Sequence, residues 1–368
     1  MTRETARRFV PKTGVDRRAF LGATASTIAT LTLIGLPETV RAQEELAAIV
    51  WCDHSDPSFL DGFAGARVRT KDYDAGTGAA ISVIEQSQPG EWDIFVLDSV
   101  DVPWVAESGL LSELNGDDYP MDDIFEQVRQ PSLHSVGGKL YAVPTTFGYN
   151  GICYNSGKVD AADMRRMSAL WDPKYEGRIA IYDYYIPIIQ LVGIGLGIVP
   201  NEVSIENLPR IGEKLFEMKK LAAMVGDVVS VQTALVSGDA DIIAGGSAWT
   251  VASLRSEHPG IDWVLPDEGG LRWTTAAGVI SGSNKKELAA EFIQYMVSPA
   301  AQADLATAEC YWKMPANAKA GDHLSAADQD SLHWDRQADF LSKSHNYFIG
   351  GADLDKAMLD LWGEFLAA

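Results

Sequence analysis

The stretch WDIFVLDS, residues 92–99, is a run of apolar side chains that ends abruptly in an aspartate and a serine. An apolar run of this length, closed by polar residues, predicts a buried strand followed by a loop. Pro103 to Ser108 then has the pattern of a helix, which Gly109 ends. A strand, a polar loop and a helix in this order indicate an α/β domain with a largely parallel sheet.

The same alternation continues on both sides of this stretch. The further predicted strands are 46–51, 68–70, 139–144, 150–155, 178–182, 241–244 and 263–265, with a break at 145–148, and the further predicted helices are 79–86, 186–197, 213–224, 287–307 and 353–366. A chain of 368 residues exceeds what one hydrophobic core usually holds. We therefore expect two α/β domains.

Polar side chains follow two of the predicted strands directly. They are Asp53, His54, Asp98, Ser99 and Asp101. Ligands of parallel sheets bind beyond the carboxyl ends of the strands, so this position suggests a binding site. Each of these residues alone could equally well cap the helix that follows it.

The first 42 residues have the composition of an export signal. A basic segment, 1–18, precedes an apolar segment, 19–36, and the small-residue site Val40-Arg41-Ala42. Arg17-Arg18, followed by Ala-Phe-Leu, resembles the twin-arginine signal of bacteria. The apolar segment is short and rich in Thr and Gly, which disfavours the alternative of a transmembrane anchor. We expect a periplasmic protein that begins near Gln43.

Charge and cysteine content exclude several classes of function. The net charge of −21 would become −25 if residues 1–42 were removed. Such a chain repels phosphate backbones and anionic membranes, so we expect no nucleic-acid partner, whereas a small cationic ligand is permitted. Cys52, Cys153 and Cys310 allow at most one disulfide and have no zinc spacing. We interpret them as buried structural cysteines and expect no metal and no cofactor.

Several short motifs follow one another along the chain. They are the loop after Trp51, Trp92–Leu111, Gly138–Pro144, Trp171–Arg178, Gly238–Asp241, Glu268–Trp273 and Ala289–Pro299. Their order and spacing resemble the extracellular solute-binding proteins of bacterial ABC importers, and within them the spermidine/putrescine-binding type. The resemblance covers nearly all of the chain beyond the signal.

This resemblance implies a type II-like periplasmic-binding-protein fold, in which two α/β lobes with mostly parallel sheets close around a ligand. The implied divisions are residues 44–147 with 276–316 for lobe 1, residues 150–272 with 320–368 for lobe 2, and hinge crossings near 144–150, 272–276 and 316–320. It also implies a monomer that passes a small solute to an inner-membrane ABC permease. Such a protein is not an enzyme.

The resemblance also assigns binding residues. Trp273 stands at the position of the family's clamp tryptophan, and Asp183 and Tyr184 at that of an acidic contact. Asp98, Ser99 and Asp101 lie in the loop that supplies polar contacts from lobe 1. Cys52 and His54 replace hydroxyl-bearing residues. Aromatic faces attract ammonium groups and carboxylates pair with them, so these residue types suit an amine.

Three departures from the family pattern bear on the ligand. Thr275 replaces an aspartate two residues after the clamp tryptophan, and Pro187 replaces a further acidic contact. Gly246 replaces a second tryptophan, although Trp249 follows three residues later. The loss of buried carboxylates favours a shorter amine, a zwitterion or another solute with less positive charge than a polyamine.

Other functions remain open at this point. Ser247, with the two preceding glycines, offers backbone N–H groups to an anion, or forms only a tight turn before a helix. Tyr184-Tyr185 could suit ferric ion, although the tyrosine pair of iron-binding relatives lies on the loop where this chain has 245–249. A receptor that feeds a sensor would need the same clamp. An exported hydrolase is disfavoured because no catalytic motif occurs.

Overall fold

The computed structural model describes residues 44–73 and 76–368. The predicted signal, residues 1–42, lies outside the described residues. The strands are β1 (Glu45–Val50), β2 (Arg67–Asp72), β3 (Ile94–Asp98), β4 (Ser135–Val136), β5 (Lys139–Leu140), β6 (Val143–Asn155), β7 (Ile179–Tyr182), β8 (Ala222–Gly226), β9 (Ile242–Gly246), β10 (Ile261–Val264), β11 (Gly270–Val279), β12 (Met314–Pro315) and β13 (Ser344–Asn346).

Helices follow most of these strands, as expected for an α/β protein. They are α1 (Pro57–Leu60), α2 (Thr77–Gln86), α3 (Val102–Glu107), α4 (Pro131–His134), α5 (Ala161–Met164), α6 (Tyr185–Gly195), α7 (Leu208–Leu221), α8 (Val228–Ser237), α9 (Ala248–Val251), α10 (Lys286–Met296), α11 (Pro299–Ala306), α12 (Ala326–Ser331), α13 (Gln337–Lys343) and α14 (Ala352–Ala367). The single helix predicted over 287–307 is two helices, because Pro299 begins a new one at its first turn.

The main sheet has the strand order β2-β1-β3-β11-β6-β9-β7-β8. At one end, β1 runs parallel to both β2 and β3. At the other end, β7 runs parallel to both β8 and β9. The two central strands, β6 and β11, are antiparallel to each other and join the two parallel sets. The predicted α/β class with two largely parallel sets is confirmed.

The strand β6 corrects one prediction. A break was expected at 145–148 between two strands, yet Val143–Asn155 is one strand of 13 residues. Its register against β11 shifts by one residue between Thr275 and Ala276, where Pro144 enters the ladder. The bulge accommodates the proline, which has no N–H to donate to the partner strand. The proline therefore bends the strand without ending it.

The hydrophobic core is divided into clusters on the faces of the sheet. The largest cluster extends over both parallel sets: it packs α10 and α11 against β1 and β3, with Phe292 and Leu305 fully buried, and it continues to α8 and β9 through Leu235 and Ile243. A second cluster packs α6, α7 and α14 against β7. Helix α6 is apolar on all sides because nearly every one of its residues is buried. Within the described part of the chain, none of the helices combines the length and apolarity that a membrane span requires.

Candidate ligand-binding site

A buried group of ionisable side chains lies just beyond the end of β1. The chain turns there through a short 3₁₀ helix, Cys52–Ser55, which directs Asp53 and His54 inward. Lys313, next to β12, reaches the same place and forms an ion pair with Asp53, and both side chains are 0% exposed. His54 Nδ1 lies 2.8 Å from Asp53 Oδ2. These three residues, Asp53, His54 and Lys313, form what we call the buried triad.

The buried triad is held together by charge. Burial alone would raise the pKa of Asp53, but His54 and Lys313 lower it to about 2. Burial lowers the pKa of both His54 and Lys313, and the charge of Asp53 opposes this shift in each. The arrangement fits an ionised Asp53–Lys313 pair beside a neutral His54, whose Nε2 lies 3.1 Å from Thr145 Oγ1. Pairing offsets the cost of burying either charge alone.

Trp273 lies next to the buried triad. Lys313 Nζ is 5.7 Å from the centre of the Trp273 ring and 4.7 Å from that of Tyr311. In the β11–β6 ladder, Trp273 is opposite Gly148. A Cβ added at Gly148 would overlap the indole, so only glycine lets the half-buried ring lie against β6. Trp273 is thus fixed at the centre of the sheet, where the two parallel sets meet.

Asp98 ends β3 beside this centre and is opposite Thr275 of β11. Its Oδ2 accepts a 2.8 Å hydrogen bond from the hydroxyl of Tyr347, which follows β13. Burial and the nearby Asp101 raise the pKa of Asp98 to about 7, although Tyr347 and Lys313 act in the opposite direction. Asp98 is therefore a carboxyl group that gains or loses its proton near neutral pH.

Tyr184 faces the same carboxylates from the other parallel set. Burial and the charge of Asp98 raise the pKa of Tyr184, and Asp101 adds to this effect. The Tyr184 ring lies 6.1 Å from that of Tyr182, which in turn lies 5.2 Å from Trp249. The phenol of Tyr184 is 43% exposed. An aromatic wall thus stands opposite Asp98 and Asp101.

The structure brings together Trp273, Asp98, Asp101 and Tyr184 of the predicted site, with Cys52 and His54 in the loop after β1. It gives the remaining candidates other partners. Asp183 Oδ1 accepts a hydrogen bond of 2.9 Å from Trp362 of α14. Ser99 is buried and lies 2.9 Å from His134 Nε2. The Thr275 hydroxyl lies 2.6 Å from that of Thr146.

Ser247 and Trp249 are bound to the strand beside them. The hydroxyl of Ser247 and the indole N–H of Trp249 both donate to the carbonyl of Tyr149, each at 2.7 Å. Ser247 and Thr250 also cap α9 through reciprocal hydrogen bonds. Their polar groups are therefore satisfied within the protein, and Trp249 contributes an apolar face next to Tyr182.

The sequence allows at most one disulfide among the three cysteines, and the structure contains one. Cys52 and Cys310 form a disulfide with 6.1 Å between their Cα atoms, so Cys52 has no free thiol. Cys153 is buried and free, as expected. The bond ties the loop after β1 to the segment that carries Tyr311 and Lys313.

Tyr311, Lys313 and Tyr347 are site residues that sequence reasoning missed. All three lie in irregular segments next to very short strands, which carry no periodic pattern. The Asp53–Lys313 pair joins positions 260 residues apart, and no local spacing could reveal it. Of the two residues, the pattern of apolar runs could locate Asp53, which follows a predicted strand, but it could not locate Lys313.

Potential metal ligands are not clustered. Across residues 44–73 and 76–368, no group of three or more His, Cys, Asp and Glu side chains could hold a metal ion. The adjacent Tyr184 and Tyr185 rings are nearly perpendicular, and the Tyr185 hydroxyl donates to Asp355. This hydrogen bond directs Tyr185 toward α14.

A crevice of about 520 Å³ lies beside Tyr347. Arg272 lines it and is buried, and its guanidinium donates to Ser344, Asn346 and the carbonyl of Gln127. Arg272 and Trp273 are successive residues of β11, so their side chains project from opposite faces of that strand. The crevice is therefore separate from the buried triad.

A sheet of two parallel sets joined by long central strands, with polar residues beyond the strand ends, defines the two-lobed periplasmic-binding-protein fold. Residues 63–332 match the family described as bacterial extracellular solute-binding protein. The chain belongs to this family, whose members bind solutes for ABC importers.

Relatives of known type agree with this assignment. The spermidine/putrescine-binding periplasmic protein 1 of Haemophilus influenzae is 20% identical over 313 residues, which cover 83% of this chain and 85% of that protein. The putrescine/agmatine-binding protein of Pseudomonas aeruginosa is 23% identical over 70% of this chain and 75% of its own length. A crystal structure of a spermidine/putrescine ABC transporter substrate-binding protein from Streptococcus pneumoniae has a TM-score of 0.75 and 18% identity. The match covers 88% of this chain and 99% of that one.

Proposed function

We propose that this protein captures a small solute with an amine group between two lobes and delivers it, unchanged, to an inner-membrane ABC permease. The observation that carries the proposal is that an aromatic side chain and a carboxylate lie on adjacent strands: Asp98 of β3 is opposite Thr275 of β11, two residues from Trp273 on the same strand. An aromatic face attracts an ammonium group by about 0.5–2 kcal/mol, and a carboxylate adds charge pairing. The relatives named above are amine-binding by name.

The proposed lobes are residues 44–147 with 276–316 and residues 150–272 with 320–368, and the proposed crossings are near 144–150, 272–276 and 316–320. The pairing of the two central strands supports the first two crossings. β11 pairs with β3 of the first parallel set, and β6 pairs with β9 of the second. A ligand that touches both lobes favours the closed state, because only contacts that differ between the two states shift their equilibrium. Asp98 and Tyr184 belong to different proposed lobes, so a ligand that contacts both residues would favour the closed state.

Within the proposed site, each residue has a role that follows from its surroundings. Trp273 packs on the alkyl part of the solute, and Asp98 accepts its ammonium group, with Asp101 adding negative charge. Tyr184 closes over the solute from lobe 2. The remaining proposed contacts, Asp183, Ser99, His54, Cys52, Thr275, Ser247 and Trp249, shape the site, since most of their polar atoms already have partners.

Calorimetric titration of the purified chain with 1,4-diaminobutane, spermidine and single amines tests the proposal. We expect heat of binding for at least one amine, and a loss of about two- to thirtyfold in affinity in Trp273→Leu, as the aromatic contribution predicts. Trp171→Leu is the matched control, because its indole donates to Lys214 in the other parallel set. No heat at millimolar concentration of any amine would reject an amine as the solute.

We also propose that the protein reaches the periplasm by the twin-arginine route and acts there as a monomer. The support is the sequence of residues 1–42, with Arg17 and Arg18 before its apolar segment. A reporter fused after residue 42 would be exported, and changing both arginines to lysine would abolish export. Gel filtration of the mature chain tests the oligomeric state. Export that survives the double substitution would contradict the route.

A further inference from the structure

We propose that Lys313 is a specificity-determining residue. It acts as a built-in cation that fits the site to solutes with one ammonium group and discriminates against diamines and polyamines. This inference rests on the proposed amine binding, because it names which amines the site takes. Lys313 is not among the residues predicted from the sequence, and the proposed binding of an amine by Trp273 and Asp98 does not depend on it.

The first argument is that Lys313 already occupies the surroundings that recognise an ammonium group. A carboxylate with an aromatic face close by is the arrangement that binds such a group. Asp53 is that carboxylate in the loop after β1, and Lys313 pairs with it. The ring faces of Trp273 and Tyr311 lie 5.7 Å and 4.7 Å from the same Nζ. The protein therefore supplies one ammonium group itself.

The second argument is the balance of charge that remains. Lys313 cancels the charge of Asp53, and the buried His54 adds none when neutral. Asp101 accepts a hydrogen bond from Trp104 at 2.9 Å, and Asp183 accepts one from Trp362. Asp98, which accepts a hydrogen bond from the hydroxyl of Tyr347, is the carboxylate opposite Thr275 of β11, and Asp101 adds negative charge near it. Asp98 therefore offers a pairing partner to one ammonium group.

The third argument is the position of Lys313 relative to a bound solute. Trp273 is the surface on which the alkyl chain is proposed to pack, and Lys313 Nζ lies 5.7 Å from the centre of its ring. Lys313 already pairs with Asp53, so a second ammonium group at this end of the solute finds no free carboxylate there and lies near a like charge. A second ammonium group at that end is unfavourable, whereas a carboxylate is attracted. We expect solutes with one ammonium and one carboxylate to bind best.

Three solutes of equal chain length test the inference by calorimetry: 1,4-diaminobutane, butylamine and 4-aminobutanoate. In the unchanged protein, 4-aminobutanoate should bind at least about tenfold more tightly than 1,4-diaminobutane, with butylamine between them. In Lys313→Met this ratio should fall below about threefold or reverse. Lys313→Arg retains the cation and should retain the ratio. A merely structural role would change all three affinities together and leave the ratio unaltered.

Removal of Lys313 alone leaves Asp53 buried with only His54 as a partner, which can unfold the protein. The double variant Asp53→Asn, Lys313→Met removes both charges, and it should show the same loss of the ratio. Tighter binding of 1,4-diaminobutane than of 4-aminobutanoate by the unchanged protein would overturn the inference, as would an unaltered ratio in the double variant. Either result leaves amine binding intact. Failure of all three solutes to bind both proteins would overturn the proposed function as well.

Discussion

The hydroxyl of Tyr347 lies 2.8 Å from Asp98 Oδ2, and this hydrogen bond joins two distant parts of the chain. Asp98 ends β3 in the first parallel set, whereas Tyr347 follows β13, which pairs with the start of β11. The bond stabilises the ionised form of Asp98 against the effect of burial. It therefore couples the C-terminal segment to the charge of the proposed site.

Tyr347→Phe should weaken amine binding at neutral pH. Without the hydroxyl, the pKa of Asp98 rises above its value of about 7, so less carboxylate is available to the ammonium group. Affinity should increase with pH through this pKa, and the midpoint should move upward in the variant, as calorimetry at several pH values would measure. Tyr185→Phe is the matched control, because it removes a tyrosine–aspartate bond to Asp355 in α14. Equal midpoints in the two variants would contradict the coupling.

Asp98→Asn should change how stability depends on pH in the ligand-free protein. The pKa of Asp98 is raised from 3.8 to about 7 on folding, so the folded state holds the proton more tightly. The free energy of unfolding should therefore fall as pH rises from about 4 to about 7, and the variant should lose this dependence. Urea unfolding at pH 5 and pH 8 measures it. As a control, Asp117→Asn at an exposed position should leave the pH dependence of the unfolding free energy unchanged.

Gly148→Ala should disturb the Trp273 ring. The added methyl group would overlap the indole, which must move away from β6. We expect a loss of about 1–3 kcal/mol in the free energy of unfolding, as for other overpacked sites, together with weaker amine binding. Gly363→Ala in α14 is the control, since nothing lies within 4 Å of the added Cβ. There an increase of up to about 1 kcal/mol is expected. Wild-type affinity in Gly148→Ala would argue against a role for the ring.

Removal of the Cys52–Cys310 disulfide should destabilise the protein by about 2–5 kcal/mol. The bond encloses a long loop, and it fixes the segment of Tyr311 and Lys313 against the loop after β1. The double variant Cys52→Ser, Cys310→Ser should melt at a lower temperature than the oxidised protein and should not respond to a reductant. An identical melting temperature with and without reductant in the unchanged protein would contradict this expectation.

Residues 92–99 show why the fold could be predicted from the sequence. Buried parallel strands need unbroken apolar runs, and those runs end where the backbone leaves the sheet, so β1, β3, β7 and β9 were recognisable. The break expected at 145–148 was wrong because a bulge accommodates the proline: Thr275 pairs with Thr146 and Ala276 with Pro144, which leaves Thr145 of β6 as the extra residue. The strand continues because β11, distant in sequence, pairs with β6 on both sides of the bulge, and no local pattern reveals that pairing.

The candidate site was only partly predictable for the same reason. Asp98 and Asp53 follow strands and could be found by position. What each carboxylate does depends on residues that arrive from elsewhere, Tyr347 and Lys313 respectively. The family resemblance placed Asp183 at an acidic contact, and in the structure the indole of Trp362 in α14 donates a hydrogen bond to its carboxylate. Position along the chain locates an ionisable group, whereas its partners decide its charge.

The uninterrupted course of β6 has a mechanical consequence. Its first part, residues 143–150, pairs with β11, and its last part pairs with β9 and β10, so this one strand links the two parallel sets. Hydrogen bonds to its neighbours keep β6 from sliding along them, but a long strand twists with little resistance when the rotation is spread over many peptide units. In the proposed closure of the two lobes, rotation can thus be distributed along β6 as elastic torsion.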